Sequence, residues 1–219
     1  MTLEPILCGS DTMSSVADEI REAIFQSGLV PSNPYGLDPF TEQCKKNFKR
    51  TFENNDLEIV PIISGTASNS LAISTICNID SGILCHNQSH IYKDECGAPE
   101  FLSGGGKLIP VNSSDGKLNS KLIEKKLHVL KNNHFKRIVK GVSITQLCEN
   151  GTAYSFEELK SIGDLCKNNE LYFHMDGARF SNALVFLNKK PSEITWKIGV
   201  DCLSLGATKN GAYAAEVII

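Results

Sequence analysis

One lysine, Lys209, stands in the stretch SLGATKNGAYAAE (204–216), where Gly206, Ala207, Gly211, Ala212, Ala214 and Ala215 keep every neighbourhood small. Such neighbours leave an amine room to meet a bound molecule, and a partly dehydrated amine attacks carbonyl carbon. The plainer reading is a surface lysine in a Gly/Ala turn. In HMDGARF (174–180), Asp176 closes an apolar run, and a carboxylate there is costly unless it meets a cation. Arg179 can be that cation. Alternatively Asp176 faces a ligand's protonated nitrogen, while Arg179 grips a substrate carboxylate through two parallel hydrogen bonds. His174 shares a strand face with Asp176 and can help hold the acid ionised from behind. In SGTASNS (64–70), Gly65 permits a tight turn and Thr66 opens a helix whose free N–H groups suit a phosphate. An ordinary N-cap by Ser64 or Thr66 explains the same pattern. His86 and His90 have helical i, i+4 spacing. Neither an H-E-x-x-H glutamate nor a third ligand accompanies them, so a metal site is not expected. A flat imidazole can instead stack on a ring, or serve the structure alone.

These side chains need elements to hold them. Apolar, β-branched runs predict strands over 57–64, 82–85, 107–111, 137–144, 171–175, 200–205 and 214–219. Helical patterns lie between them. Val16, Ile20, Ala23 and Ile24 form one stripe, closed by Gly28; Leu118, Leu122, Leu127 and Leu130 mark another. Ser155 with Glu158, ahead of Leu159, Ile162 and Leu165, reads as a capping box. Strand–helix alternation predicts the α/β class: a mainly parallel seven-stranded sheet with helices on both faces. In that class ligands sit beyond the carboxyl ends of the strands. Phosphate donors, a flat stacker, a carboxylate and an amine all fall there. Pyridoxal 5′-phosphate asks for all four: a helix N-terminus for its phosphate, a stacker for its ring, an anion for its ring nitrogen and a lysine for its aldehyde.

Composition narrows the class further. The 219 residues are 41% hydrophobic and 21% charged, enough for a sizeable core. A net charge of −3 argues against a general nucleic-acid binder. The basic clusters at 45–50 and 121–126 read as solvated helix faces. Eight cysteines carry no C-x-x-C pair and no His at zinc spacing, so buried, reduced thiols in a cytoplasmic protein are expected. No apolar run approaches membrane-span length, and the N-terminus lacks a signal-peptide pattern.

Seven pieces in order resemble the threonine aldolase branch of the fold type I, aspartate-aminotransferase-like enzymes that use pyridoxal 5′-phosphate. They are GSDTMSS (9–15), PYGLDP (34–39), SGTASN (64–69), SHIYKDECGAPE (89–100), SITQLCENGTAYS (143–155), HMDGARFSNA (174–183) and LSLGATKNGA (203–212). HMDGARFSNA and GATKNG are the specific ones. The resemblance implies that Lys209 bonds the cofactor aldehyde, Asp176 pairs with the pyridine nitrogen and His90 stacks on the ring. It implies phosphate contacts from Gly65, Thr66 and Thr208, and a substrate carboxylate held by Ser10 and Arg179. Tyr35 would serve a neighbouring subunit's pocket, in a homodimer or homotetramer. The implied reaction cleaves L-threonine or L-allo-threonine to glycine and acetaldehyde, with His90 or a water it orients as the base. β-Elimination on the same scaffold, or cofactor binding without turnover, are the alternatives. Residues 1–35 would form an N-terminal helical arm and 36–219 the cofactor-binding large domain. Since family members run on beyond this length, the small C-terminal domain, with a further arginine, is expected to be missing.

Overall fold

Strands form where the β-branched runs lie: β1 (Val60–Ile62), β2 (Ser81–His86), β3 (Lys107–Val111), β4 (Ile138–Thr145), β5 (Tyr172–Gly177), β6 (Cys202–Gly206) and β7 (Glu216–Ile218). The computed structural model describes residues 9–132 and 138–219, so Arg137, the expected start of the fourth strand, lies outside the described residues. All seven strands join one sheet in the order β1-β7-β6-β5-β4-β2-β3. Neighbours from β3 through β2, β4 and β5 to β6 are parallel. β7 runs antiparallel to both β1 and β6. The mainly parallel sheet expected from the sequence is thus present. β1 and β7 are shorter than the apolar runs that predicted them. Ala214 and Ala215 stay in the preceding turn, where Ala207 N–H donates to the Ala215 carbonyl at 2.9 Å.

Among the described residues α1 (Asp18–Ser27) and α2 (Pro39–Thr51) precede the sheet, and α3 (Gly65–Ile76), α4 (His90–Lys93), α5 (Ala98–Leu102), α6 (Ser120–Lys131), α7 (Phe156–Asn168) and α8 (Phe180–Leu187) lie between its strands. Their ends follow local chemistry. Asp38 caps α2 by accepting from Thr41 N at 2.8 Å. Ser155 and Glu158 form the expected capping box on α7. Gly28 does end α1, but with φ −67 rather than the left-handed geometry of a glycine stop. No residue of α1 is buried; of its apolar stripe Val16 and Ile20 are half-buried, and Ala23 and Ile24 are exposed.

Strand alternation sorts the core. Leu84, Val142, Ile144, Phe173, Met175 and Leu203 face one cluster, together with Ile123, Leu159 and Ile162 from α6 and α7. Ile83, Cys85 and Leu108 face the other side, against Ile73 and Ile76 of α3. On that second side the central strands turn polar: Ser143, Thr145, His174, Asp176 and Ser204 are all buried. A core would not place five polar side chains together unless they meet one another or a ligand.

Candidate active site

Beyond the carboxyl ends of β5 and β6, under the start of α3, lies a cavity of about 220 Å³. Its walls include Gly65, Thr66, His90, Asp176, Thr208 and Lys209. All the residues expected to touch the cofactor therefore converge, from separate stretches of chain. A larger cavity of about 330 Å³ borders His86, Ser113 and Cys148 but contains neither Lys209 nor Asp176. The smaller one holds the chemistry.

Ser64 caps α3, accepting from Ala67 N at 3.3 Å. The N-cap reading of SGT is thus correct, and it also aims the helix start at the cavity. One turn further on, Asn69 is buried and spans two acids. Its Nδ2 donates to Asp176 Oδ2 at 3.1 Å and to Glu95 Oε1 at 2.9 Å. Asp176 Oδ1 accepts from Ala178 N at 3.1 Å. Burial pushes the Asp176 carboxyl above its ordinary range, a shift these two donors only partly offset. No salt bridge reaches Asp176 among the described residues. Its predicted partner Arg179 is engaged elsewhere, so the simple ion-pair reading of DGAR does not hold.

His90 opens α4 and turns Nδ1 toward Glu95 Oε1 at 2.8 Å. The hydrogen bond to Glu95 raises the imidazole above its ordinary pKa, against the opposing effect of burial. Glu95 has no exposed side-chain surface, and its Oε2 lacks any partner. His86 does not join the site. Its Nε2 lies 3.1 Å from both N and Oγ of Ser113, tying the end of β2 to the segment after β3.

Lys209 sits on a 3₁₀ turn (Thr208–Asn210) directly after β6, with a side chain 19% exposed. Its Nζ lies 3.6 Å from Asp11 Oδ1. The other oxygen of Asp11 accepts from Arg179 Nε at 2.6 Å, and Arg179 Nη1 donates to Glu149 Oε1 at 3.3 Å. One carboxylate thus bridges the guanidinium and the amine. Burial pushes Asp11 up, but the Arg179 hydrogen bond and the two cations outweigh it and hold the carboxyl below its usual range. Ser10 caps the turn that carries Asp11, its Oγ accepting from Thr12 N at 3.2 Å. Ser10 itself is exposed and is not part of the cavity wall, which Thr12 joins instead. Tyr35 is 95% exposed, in a turn at φ +62, away from the cavity wall.

His174 departs from expectation. It makes no hydrogen bond to Asp176. Instead Nδ1 meets Ser143 Oγ at 2.9 Å and Nε2 meets Ser204 Oγ at 3.2 Å. Complete burial brings its pKa down to about 4, so the ring is neutral and adds no charge behind the acid. The reason is register: β4 and β6 place serines on either side of the ring. The thiols are also less uniform than expected. Cys77, Cys85, Cys148 and Cys166 are buried, whereas Cys96 is exposed in the turn before α5. Sequence reasoning missed Asp11, Asn69, Glu95 and Glu216, all of which touch the expected site residues.

The model of a family described as beta-eliminating lyase matches residues 9–219. A low specificity L-threonine aldolase of a Pseudomonas strain is 40% identical over 210 residues, covering 96% of this chain and 60% of that protein. A solved threonine aldolase of Leishmania major superposes with a TM-score of 0.89 at 27% identity, over 95% of this chain and 60% of that one. A putative L-allo-threonine aldolase of Listeria monocytogenes shares the fold, with a TM-score of 0.71 at 20% identity and 53% of its length covered. The chain therefore spans about 60% of the length of the curated relatives it matches.

Proposed function

The chain belongs to the beta-eliminating lyase family, and from that premise we propose that it binds pyridoxal 5′-phosphate and cleaves L-threonine or L-allo-threonine to glycine and acetaldehyde. The observation that carries the reading is the pairing across one cavity of an amine, Lys209, and a buried carboxylate, Asp176, that has no cationic partner among the described residues. A protonated pyridine nitrogen supplies the missing cation, and the buried acid is otherwise costly. The residues present therefore fit the cofactor. Gly65, Thr66 and Thr208 line the end where backbone donors suit a phosphate.

When bound, the cofactor supplies an aldehyde for an amine and a ring that accepts an electron pair. The chain's own residues do the rest. Lys209 presents its amine from a turn with small neighbours. Asp176, steadied by Asn69 and Ala178, would offer its carboxylate to the ring nitrogen. Arg179 orients a substrate carboxylate. Asp11 and Glu149 already occupy its Nε and Nη1, which leaves the remaining Nη2 edge or an exchange with Asp11. His90, held by Glu95, takes the β-hydroxyl proton directly or through a water.

Association of two or more copies belongs to the same reading. Tyr35, Phe25, Leu29 and Leu37 are large apolar residues left exposed around α1, and sedimentation of the purified protein reads the oligomer directly. Cysteines without disulfides among the described residues support a cytoplasmic setting. No described helix is long and apolar enough to cross a membrane.

Visible absorbance of the protein with pyridoxal 5′-phosphate, before and after L-threonine, tests the function. The expected result is a bound-cofactor band that borohydride bleaches as it fixes the cofactor to Lys209, and that Lys209→Ala removes together with turnover. Pyruvate and ammonia in place of acetaldehyde and glycine would favour β-elimination, which the family's description keeps in view. A band without any product would mean binding alone.

A further inference from the structure

Glu216 is an acid at the end of the cavity where a phosphate is expected. It stands on β7, buried, opposite Gly206 of β6 and Ile62 of β1. Its Oε1 accepts from Thr208 Oγ1 at 2.7 Å. Its Oε2 points toward the start of α3: a Cβ on Gly206 would lie 2.8 Å from that oxygen, and one on Gly65 3.9 Å. Thr208 Oγ1 also accepts from Ala215 N at 3.3 Å. While Glu216 is ionised, the single hydroxyl proton of Thr208 is committed to it. A phosphate arriving there would meet a carboxylate and an oxygen with no proton to give.

We infer that Glu216 takes up a proton when the phosphate group binds, and that this frees Thr208 to donate to the phosphate. The inference rests on the cofactor reading above. The hydrogen bonds balance. A protonated Glu216 donates its O–H to Thr208 Oγ1, Ala215 N–H fills the second lone pair, and the Thr208 proton turns to a phosphate oxygen. Glu216 is thus a positioning residue for Thr208 rather than a group in contact with the reacting carbons. The surroundings push the Glu216 carboxyl above its ordinary range. Burial raises the carboxyl, and the negative charge of Asp176 on β5 adds to this. The Thr208 hydrogen bond and Lys209 on the 3₁₀ turn act the other way, without overcoming it. The faces of β6, β1 and α3 that meet Glu216 present Gly206, Ile62 and Gly65, none of them charged.

The test is equilibrium binding of pyridoxine 5′-phosphate to the whole chain, with unphosphorylated pyridoxine alongside. This ester lacks the aldehyde, so the bond to Lys209 does not enter. The parent should bind it roughly tenfold tighter at about pH 6 than at about pH 8, the scale of one charge-assisted hydrogen bond. Glu216→Gln donates to Thr208 as the protonated acid does. It should bind tightly at both pH values, leaving only the dependence from the ester's own second ionisation near ~6. Thr208→Val keeps the shape, loses the hydroxyl and should bind weakly at both, and it carries the test if Glu216→Gln fails to fold. Pyridoxine should show no such contrast. Equal pH ratios in parent and variants, or weaker binding by Glu216→Gln throughout, would overturn the inference alone. Binding of the ester by none of the proteins would overturn the cofactor reading and this inference with it.

Discussion

Glu95 makes the strongest demand on a single side chain. It holds a carboxylate inside the protein, accepts from Asn69 and from His90 Nδ1, and leaves Oε2 without a partner. Because the Glu95 hydrogen bond raises His90, the ring keeps its proton to higher pH than a free imidazole would. Replacing Glu95 by Gln removes the charge and keeps the shape. The His90 titration midpoint, followed by proton NMR of its ring, should then move down; an unmoved midpoint would show that Glu95 does not govern the ring. That Lys209, Asp176 and His90 line one cavity fits their place in the sequence, where each is an unusual type just beyond an apolar run. Their supports were not legible there. Asn69 reaches Asp176 across 107 residues and Arg179 reaches Asp11 across 168, and no local pattern encodes a contact at that range. Asp11, next to Ser10, carries no local pattern of its own; its role comes from Arg179 and Lys209.

At the scale of elements, helix ends and close approaches set the frame that carries the site. α7 shows both. Ser155 Oγ accepts from Glu158 N at 3.2 Å, and Glu158 Oε2 accepts from Ser155 N at 2.7 Å while also meeting Lys117 Nζ. Ser155→Ala should cost about 1 kcal/mol in urea unfolding, the usual worth of such a cap. Gly163, one face further round, packs directly on the 3₁₀ turn Trp196–Ile198; a Cβ there would overlap the Ile198 carbonyl oxygen. Gly163→Ala should cost more, about 1–3 kcal/mol, because backbone must shift to admit a methyl. A Gly163→Ala variant that unfolded at the parent's urea concentration would show that α7 can slide. The capping box was readable three residues at a time, whereas the need for glycine at 163 arises from a segment more than thirty residues away and was invisible. Strand positions were read well because parallel strands buried on both faces leave continuous apolar runs. The edges of the runs were overread at β1 and β7, where turn geometry took residues back.

For the molecule as a whole, the neutral His174 is a pH liability. Its pKa is about 4 in the folded chain because burial disfavours the charged ring, against an ordinary value of 6.5. The unfolded state therefore binds the proton first. Stability from this source is fully present above about pH 6.5 and is lost as pH falls toward about 4, by roughly 3 kcal/mol. His174→Gln should flatten that part of the stability profile relative to the parent, as measured by urea melts across the range; equal slopes in the two proteins would assign the acid loss to other groups. The class of fold was open to sequence reading because alternation of strands and helices is a global signal. The order β1-β7-β6 was not, since it depends on a strand from far along the chain turning antiparallel between two others. That insertion carries a consequence for biosynthesis. Val60 enters the sheet only through its pairing with Ile218. The strand leading into α3 therefore waits for residues made long after it, and a nascent chain on the ribosome holds an unfinished edge until that ladder closes.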